Sequence, residues 1–170
     1  MDKKSTKKAK LPYVINMIRV TKNIIKISYD RVIDGHRESY TIVSADKPRP
    51  ELYQCMKNLA APVAGLLEIE NKNLDQRIRP VQVRFKYDSN DLMSAVIEAD
   101  FFCPLAGANV PIKTPEKQEP VDPEVNTQED RFFVPYTVDV LRAVQAEAIM
   151  FIDGERAQTT LFKNDEKKSE

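Results

Sequence analysis

Residues 25–43, IKISYDRVIDGHRESYTIV, contain a strong hairpin signal. The first five of these residues alternate apolar and polar side chains, which is the period of a strand with one wet face. The dipeptide Asp34-Gly35 favours a tight turn between strands. Tyr40 to Val43 then supply the returning strand. The stretch therefore predicts two antiparallel strands.

Another strand is predicted before this hairpin. Val14 to Val20 are rich in β-branched residues, with Asn16 and Arg19 as polar interruptions. Thr21-Lys22-Asn23 offers the turn that leads into the hairpin. The first third of the chain therefore predicts an antiparallel meander of three strands.

A helix is predicted after the meander. Pro48 and Pro50 end the strand pattern, and Pro50 suits the first helical turn, where its missing N–H has no partner to lose. Pro62 falls inside the helical pattern and predicts a kink or a division of the helix there. The apolar stripe that defines this helix consists of Leu52, Cys55, Met56, Leu59, Val63, Leu66 and Leu67.

A second hairpin and a final helix complete the pattern. Residues 81–87 alternate apolar and polar side chains, and Leu92 to Phe102 form the longest predicted strand. Residues 104–131 hold five prolines and little periodicity, so they predict a flexible excursion. Pro135 then begins a helix that Asp153-Gly154 can end, because glycine accepts the left-handed cap conformation.

The order of elements predicts an α+β fold. It consists of an antiparallel sheet of about five strands, in the order βββ-α-ββ-α, with two covering helices. The same order fits a five-stranded oligonucleotide-binding (OB-like) barrel equally well, and both arrangements remain open. We expect a disordered basic arm at 1–10, a single domain at 11–154 with the flexible loop at 104–131, and a mobile tail at 155–170.

Composition favours a soluble protein inside a cell. Hydrophobic residues make up 42% and charged residues 31% of the chain, as in ordinary globular proteins. The formal net charge is +0, so charge-driven binding requires a local patch. No signal peptide or membrane-spanning run is visible, and Cys55 and Cys103 lie far apart, which favours a reduced, cytoplasmic setting without membrane partners.

The residues that carry most enzyme chemistry are scarce in this sequence. His36 is the one histidine of the chain and falls at the predicted turn, and the four glycines form no phosphate-binding loop. Glu98 and Asp100 share a strand face, but surface carboxylates on a wet face are the simpler interpretation. We therefore expect no catalytic residue, no metal site and no cofactor.

A cluster of cations suggests one alternative function. Arg77, Arg79, Arg84 and Lys86 fall within ten residues, and Tyr87 follows them. Cations beside exposed aromatic rings can bind single-stranded nucleic acid, because the phosphates are neutralised and the bases stack. These five residues are the predicted nucleic-acid-binding set, although the tyrosines also fit the apolar register of a core.

The peptide Gln158-Thr159-Thr160-Leu161-Phe162 resembles the motif by which bacterial polymerases and repair proteins dock on the DNA sliding clamp. Gln158, Leu161 and Phe162 match its three most informative positions, whereas Thr159 stands where leucine is frequent. In that family two apolar side chains enter a pocket and the glutamine amide makes hydrogen bonds at its rim. The resemblance implies a clamp as partner. Alternatively, Leu161 and Phe162 pack back onto the domain.

A broader resemblance covers most of the chain. The sheet-helix-hairpin order, Lys47-Pro48-Arg49-Pro50 and the run from Ile152 to Gln158 look like proteins of phages and prophages whose motifs are not tied to a known activity. This resemblance implies DNA replication or recombination in a bacterial host cytoplasm. The leading hypothesis is a non-enzymatic accessory protein on the clamp. A single-stranded DNA-binding protein and a phage structural or interaction protein are the alternatives.

Overall fold

The computed structural model describes residues 13–69, 76–122 and 130–157. These residues form seven strands and three helices. The first two helices correspond to the single helix that was predicted after the meander. The strands are β1 (Val14–Val20), β2 (Ile25–Ile33), β3 (His36–Ser44), β4 (Ile78–Tyr87), β5 (Met93–Cys103), β6 (Ala108–Lys113) and β7 (Lys117–Gln118). The helices are α1 (Pro50–Asn58), α2 (Ala60–Leu66) and α3 (Pro135–Ile152).

The strands form one antiparallel sheet in the order β3-β2-β1-β4-β5-β6, and β7 pairs with β5. This arrangement confirms the predicted α+β class. Within the described residues the sheet is open, with β3 at one edge and β6 at the other. The chain therefore has the sheet with covering helices rather than the OB-like barrel, and it has more strands than the five expected.

The Asp34-Gly35 turn has the geometry that the sequence predicts. Asp34 has a φ of 49° and Gly35 a φ of 80°, so both central residues are left-handed, as in a type I′ turn. Ile33 and His36 are the register partners that flank it. This turn fixes the register of β2 and β3, and His36 begins β3 instead of lying in the turn.

The helices cover one face of the sheet and leave the other without a described helix. Val83, Ile97 and Leu141 are among the fully buried side chains of the resulting core. Residues that alternate with the buried strand positions lie on the opposite side, which we call the open face. Arg19 lies there between Ile18 and Val20, both of which are buried.

The predicted helix at Pro62 is divided, but three residues earlier than the proline. α1 ends at Asn58, Leu59 separates the two helices, and Pro62 lies in the first turn of α2. A proline ring collides with the carbonyl four residues before it and offers that carbonyl no N–H. The carbonyl in question belongs to Asn58, which explains where the break falls.

The prediction of a flexible loop at 104–131 is wrong for the first half of that range. β6 pairs with the second half of β5, and β7 pairs with Ser94 and Ala95 in the first half. Between them Thr114 is buried, and its hydroxyl accepts a hydrogen bond from the Ile97 N–H at 3.0 Å. An edge strand buries few side chains, so the segment lacks the periodicity that reveals an inner strand. Pro111 is tolerated at such an edge.

The final helix begins at Pro135 and ends with the Asp153-Gly154 cap, as predicted. Asp153 is the C-cap residue, and Gly154 has a φ of 97°. Among the described helices none is long and apolar enough to cross a membrane. The basic arm at 1–10 and the part of the tail after Ala157 lie outside the described residues.

We expect Gly35→Val to destabilise the protein by about 1–2 kcal/mol, the cost of a left-handed conformation for a residue with a Cβ atom. A Cβ at Gly35 would meet nothing within 4 Å, so backbone strain alone would act. Urea unfolding measures the change, with Asp34→Asn as a control that tolerates the same conformation. An unchanged midpoint for Gly35→Val would contradict the assigned turn.

Candidate functional site

Three of the predicted nucleic-acid-binding cations are paired with carboxylates on the open face. The Arg79 guanidinium lies 2.6 Å from Asp100, and the Lys86 ammonium lies 2.6 Å from Glu116. Arg84 makes a longer contact of 3.4 Å with Glu98. Because Arg79 and Lys86 each face a close anion, these two residues create little excess positive potential.

Arg77 lies immediately before β4 and contacts residues at the end of β5. Its guanidinium carbon is 4.6 Å from the centroid of the Phe101 ring, and its Nε donates a hydrogen bond of 2.9 Å to the Phe102 carbonyl. This geometry anchors the strand end. These contacts give Arg77 a structural role, which is an alternative to the predicted role in nucleic-acid binding.

Tyr87 is partly buried, and its hydroxyl is engaged within the domain. Its hydroxyl donates to the Ile15 carbonyl at 2.8 Å and accepts from the Gln145 side-chain amide at 2.7 Å. Burial raises the pKa of Tyr87 to about 12. Tyr87 therefore joins β4, β1 and α3 through its hydroxyl, in agreement with the apolar register noted in the sequence.

A cleft of about 760 Å³ opens where β1, the β4–β5 turn and α3 meet. Small-molecule sites commonly have volumes of about 300–1,000 Å³. Tyr87 and Gln145 lie at one side of the cleft, together with Arg142, whose guanidinium is paired with Glu119. Asp30 also lines the cleft. The cleft thus combines apolar and hydrogen-bonding groups, although charged groups such as Arg142 and Asp30 already have partners.

Asp30 is the most enclosed carboxylate of the cleft, with a relative exposure of 5%. Ser39 Oγ donates to it at 2.6 Å and Arg37 Nε donates at 2.7 Å. Burial alone would raise the pKa of Asp30, but hydrogen bonds from Ser39, Asn16 and Arg37 outweigh burial and hold the pKa below its usual value of 3.8. Asp30 is thus ionised, and its hydrogen bonds link β1, β2 and β3.

The other residues with catalytic potential are separated from one another. Glu98 and Asp100 share the open face, as predicted, and each is paired with an arginine. Burial is the main reason that the pKa of the Cys55 thiol is raised, which disfavours the reactive thiolate. Within ranges 13–69, 76–122 and 130–157 no group of three or more His, Cys, Asp or Glu side chains could hold a metal ion.

Gln158, Leu161 and Phe162 lie outside the described residues, but the residues just before them are held against the domain. The Ala157 N–H donates to the Lys47 carbonyl at 3.1 Å. Glu155 lies 2.8 Å from Arg49, and the Arg156 guanidinium carbon lies 3.6 Å from the ring centroid of Phe151. We call residues 155–157 the stub. The stub brings the chain to the surface beside the start of α1.

Comparison of the chain with protein-family models, curated proteins and solved structures gives no match. The assignment of a function therefore depends on the residues of this chain.

Sequence reasoning missed the polar side of the cleft. Gln145 lies in the inner stripe of α3 next to Val144, so a polar residue at an apolar position was the available signal. Asn16 was likewise visible as an interruption of β1, where the register with β2 shifts. Glu119 gave no signal, because it lies in the segment where no ordered structure was expected.

We expect Asp30→Asn to lower the free energy of unfolding at pH 7 by about 1–3 kcal/mol, since it weakens hydrogen bonds to a buried carboxylate. The folded-state pKa of Asp30 is depressed, so its stabilising contribution is present above the unfolded pKa, near 3.8. The contribution is lost as the pH falls through the lower folded pKa.

Urea unfolding at pH 7 and at pH 3 measures this effect. The wild type should lose more stability between the two pH values than Asp30→Asn, while the exposed control Asp91→Asn should follow the wild type. If the free energy of unfolding changed equally with pH in the wild type and in Asp30→Asn, the stabilising role of the ionised Asp30 would be ruled out.

Proposed function

We propose that this protein is a phage-type accessory factor of DNA replication or recombination, which docks on a bacterial DNA sliding clamp through Gln158, Leu161 and Phe162. The resemblance of this peptide to the clamp-binding motif carries the proposal. The domain then acts as a non-enzymatic adaptor or as a competitor at the clamp, within the cytoplasm of the bacterial host.

The position of the stub supports this proposal. The motif begins one residue after Ala157, whose N–H is bonded to Lys47 at the domain surface. The chain therefore reaches the start of the motif at the surface of the described domain.

The groove nearest the stub is small for the alternative in which both apolar side chains fold back. It lies between the β1–β2 turn and α1, has a volume of about 140 Å³ and includes Ile24, Lys47 and Tyr53 in its lining. An apolar cavity of about 150 Å³ accommodates one benzene molecule. The groove is therefore of a size for about one large apolar side chain, which supports outward presentation of the Leu161-Phe162 pair.

Clamp binding is expected to be of micromolar strength. Full burial of a leucine or phenylalanine contributes about 1.5–3 kcal/mol each, and ordering a short peptide offsets part of this gain. Thr159 forgoes the apolar contact that leucine makes at the same motif position. Short linear motifs of this kind bind weakly enough to exchange with other clamp partners.

Titration of a purified bacterial clamp with the full chain tests the proposal. We expect Leu161→Ala/Phe162→Ala to weaken binding at least about tenfold, because each tenfold step corresponds to about 1.4 kcal/mol. Thr160→Ala changes a variable motif position and serves as the matched control. Thr159→Leu should strengthen binding. Equal affinities for the wild type and the double variant would exclude docking through this peptide.

A further inference from the structure

A row of polar side chains crosses the open face from β2 to β6. Its members are successive register partners: Lys26 faces Arg19, Arg19 faces Gln82, Gln82 faces Glu98, and Glu98 faces Lys113. Neighbouring strands are about 4.8 Å apart, so the row spans roughly 19 Å. We call these five residues the basic row.

The basic row contains a pairing that sheets normally avoid. Lys26 and Arg19 are directly opposite each other on adjacent strands, and both are exposed. Like charges in this position repel and destabilise the strand pair. Neither side chain has a salt bridge to a carboxylate among the residues that the structure describes. An unfavourable local pairing of this kind is typical of a functional surface.

Arg84 adds to the positive charge of the row. Met17 is its register partner, so Arg84 lies diagonal to Arg19 on the same face. Glu98 is the one carboxylate in the basic row, and its contact with Arg84 is 3.4 Å long. Three positive charges therefore remain in excess around Glu98, in a chain whose formal net charge is +0.

Gln82 lies at the centre of this charge. Its relative exposure is 5%, although it lies on the open face, and its Nε2 is buried without a hydrogen-bond partner among the described residues. An unsatisfied amide donor is costly, and it adds a further positive dipole beneath the cations. The Gln82 amide donor at the centre of the row therefore has no acceptor among the described residues.

We infer that the basic row, together with Arg84, binds the phosphate backbone of duplex DNA. A row of cations about 19 Å long can contact several phosphates, and counterion release then favours binding. None of its side chains is aromatic, and Phe102, an aromatic residue on the same face, is four residues from Glu98, about 13 Å along β5. Single-strand binding relies on stacked aromatic rings, so the surface fits a duplex better.

The basic row differs from the set of cations that the sequence predicted. Arg79 and Lys86 are each 2.6 Å from a carboxylate, whereas Arg19, Lys26 and Lys113 belong to three separate strands and form no cluster in the sequence. The inference also does not depend on the clamp. The surface consists of described residues, whereas the clamp proposal rests on the peptide after Ala157.

The test is the salt dependence of binding to a labelled 20-base-pair duplex, measured with the full chain by fluorescence anisotropy. The slope of log K against log salt falls by about 0.9 for each phosphate that the protein no longer neutralises. We expect Arg19→Gln/Lys26→Gln to reduce the slope by about 2 and to weaken binding at least about tenfold at low salt. Lys57→Gln, an exposed cation of α1, is the matched control and should leave the slope unchanged.

Three further measurements keep the outcome decisive. The urea midpoint of Arg19→Gln should equal or exceed that of the wild type, because the repulsion with Lys26 is relieved. Clamp titration with Arg19→Gln/Lys26→Gln should match the wild type, so failure of either proposal can be recognised separately. An identical salt slope for this variant and the wild type overturns the inference, as does tighter binding to a single strand or to anionic lipid vesicles than to the duplex.

Discussion

The short pairing between β1 and β4 is the interaction on which the rest of the fold depends. β1 joins the meander of β1, β2 and β3 to the hairpin of β4 and β5, and it does so through three register partners, Met17 with Arg84, Ile18 with Val83 and Arg19 with Gln82. Residues about 65 positions apart in the chain meet there. Such contacts carry a large loop-closure cost, so side-chain packing has to support them.

The helices supply that support. Ile18 and Val83 face the helices and have zero exposure, so the junction is sealed on the covered side by apolar packing. On the other side the same two strands place Arg19 beside Gln82 and Arg84 close by. The geometry that closes the core therefore also gathers the cations of the open face, and neither arrangement exists without the β1–β4 pairing.

Local patterns predicted the local elements well. The Asp34-Gly35 turn, the alternation in β5 and the Pro135 start of α3 each depend on neighbours in sequence, so they could be recognised. β6 was not predicted, because an edge strand is held by backbone hydrogen bonds and needs no apolar stripe. The division of the helix was expected at Pro62, whereas the proline acts on the carbonyl of Asn58.

The candidate sites were harder to predict, because they depend on partners from distant strands. In the sequence Arg79 and Lys86 have no obvious partner, and only the fold places Asp100 and Glu116 beside them. Arg19 and Lys26 belong to different strands, and only the register places them opposite each other. The positions that a sheet brings together are set by strand order, and strand order was the part of the fold that the sequence left open.

The two edges of the open sheet are unequal. Among the described residues β3 is an edge strand of nine residues, and antiparallel pairing with β2 leaves every second N–H and C=O pointing outward, where a further strand could pair. β6 is shorter and contains Pro111, which has no N–H to offer. Of the two edges in the described part of the chain, β3 is therefore the better suited to the addition of a strand.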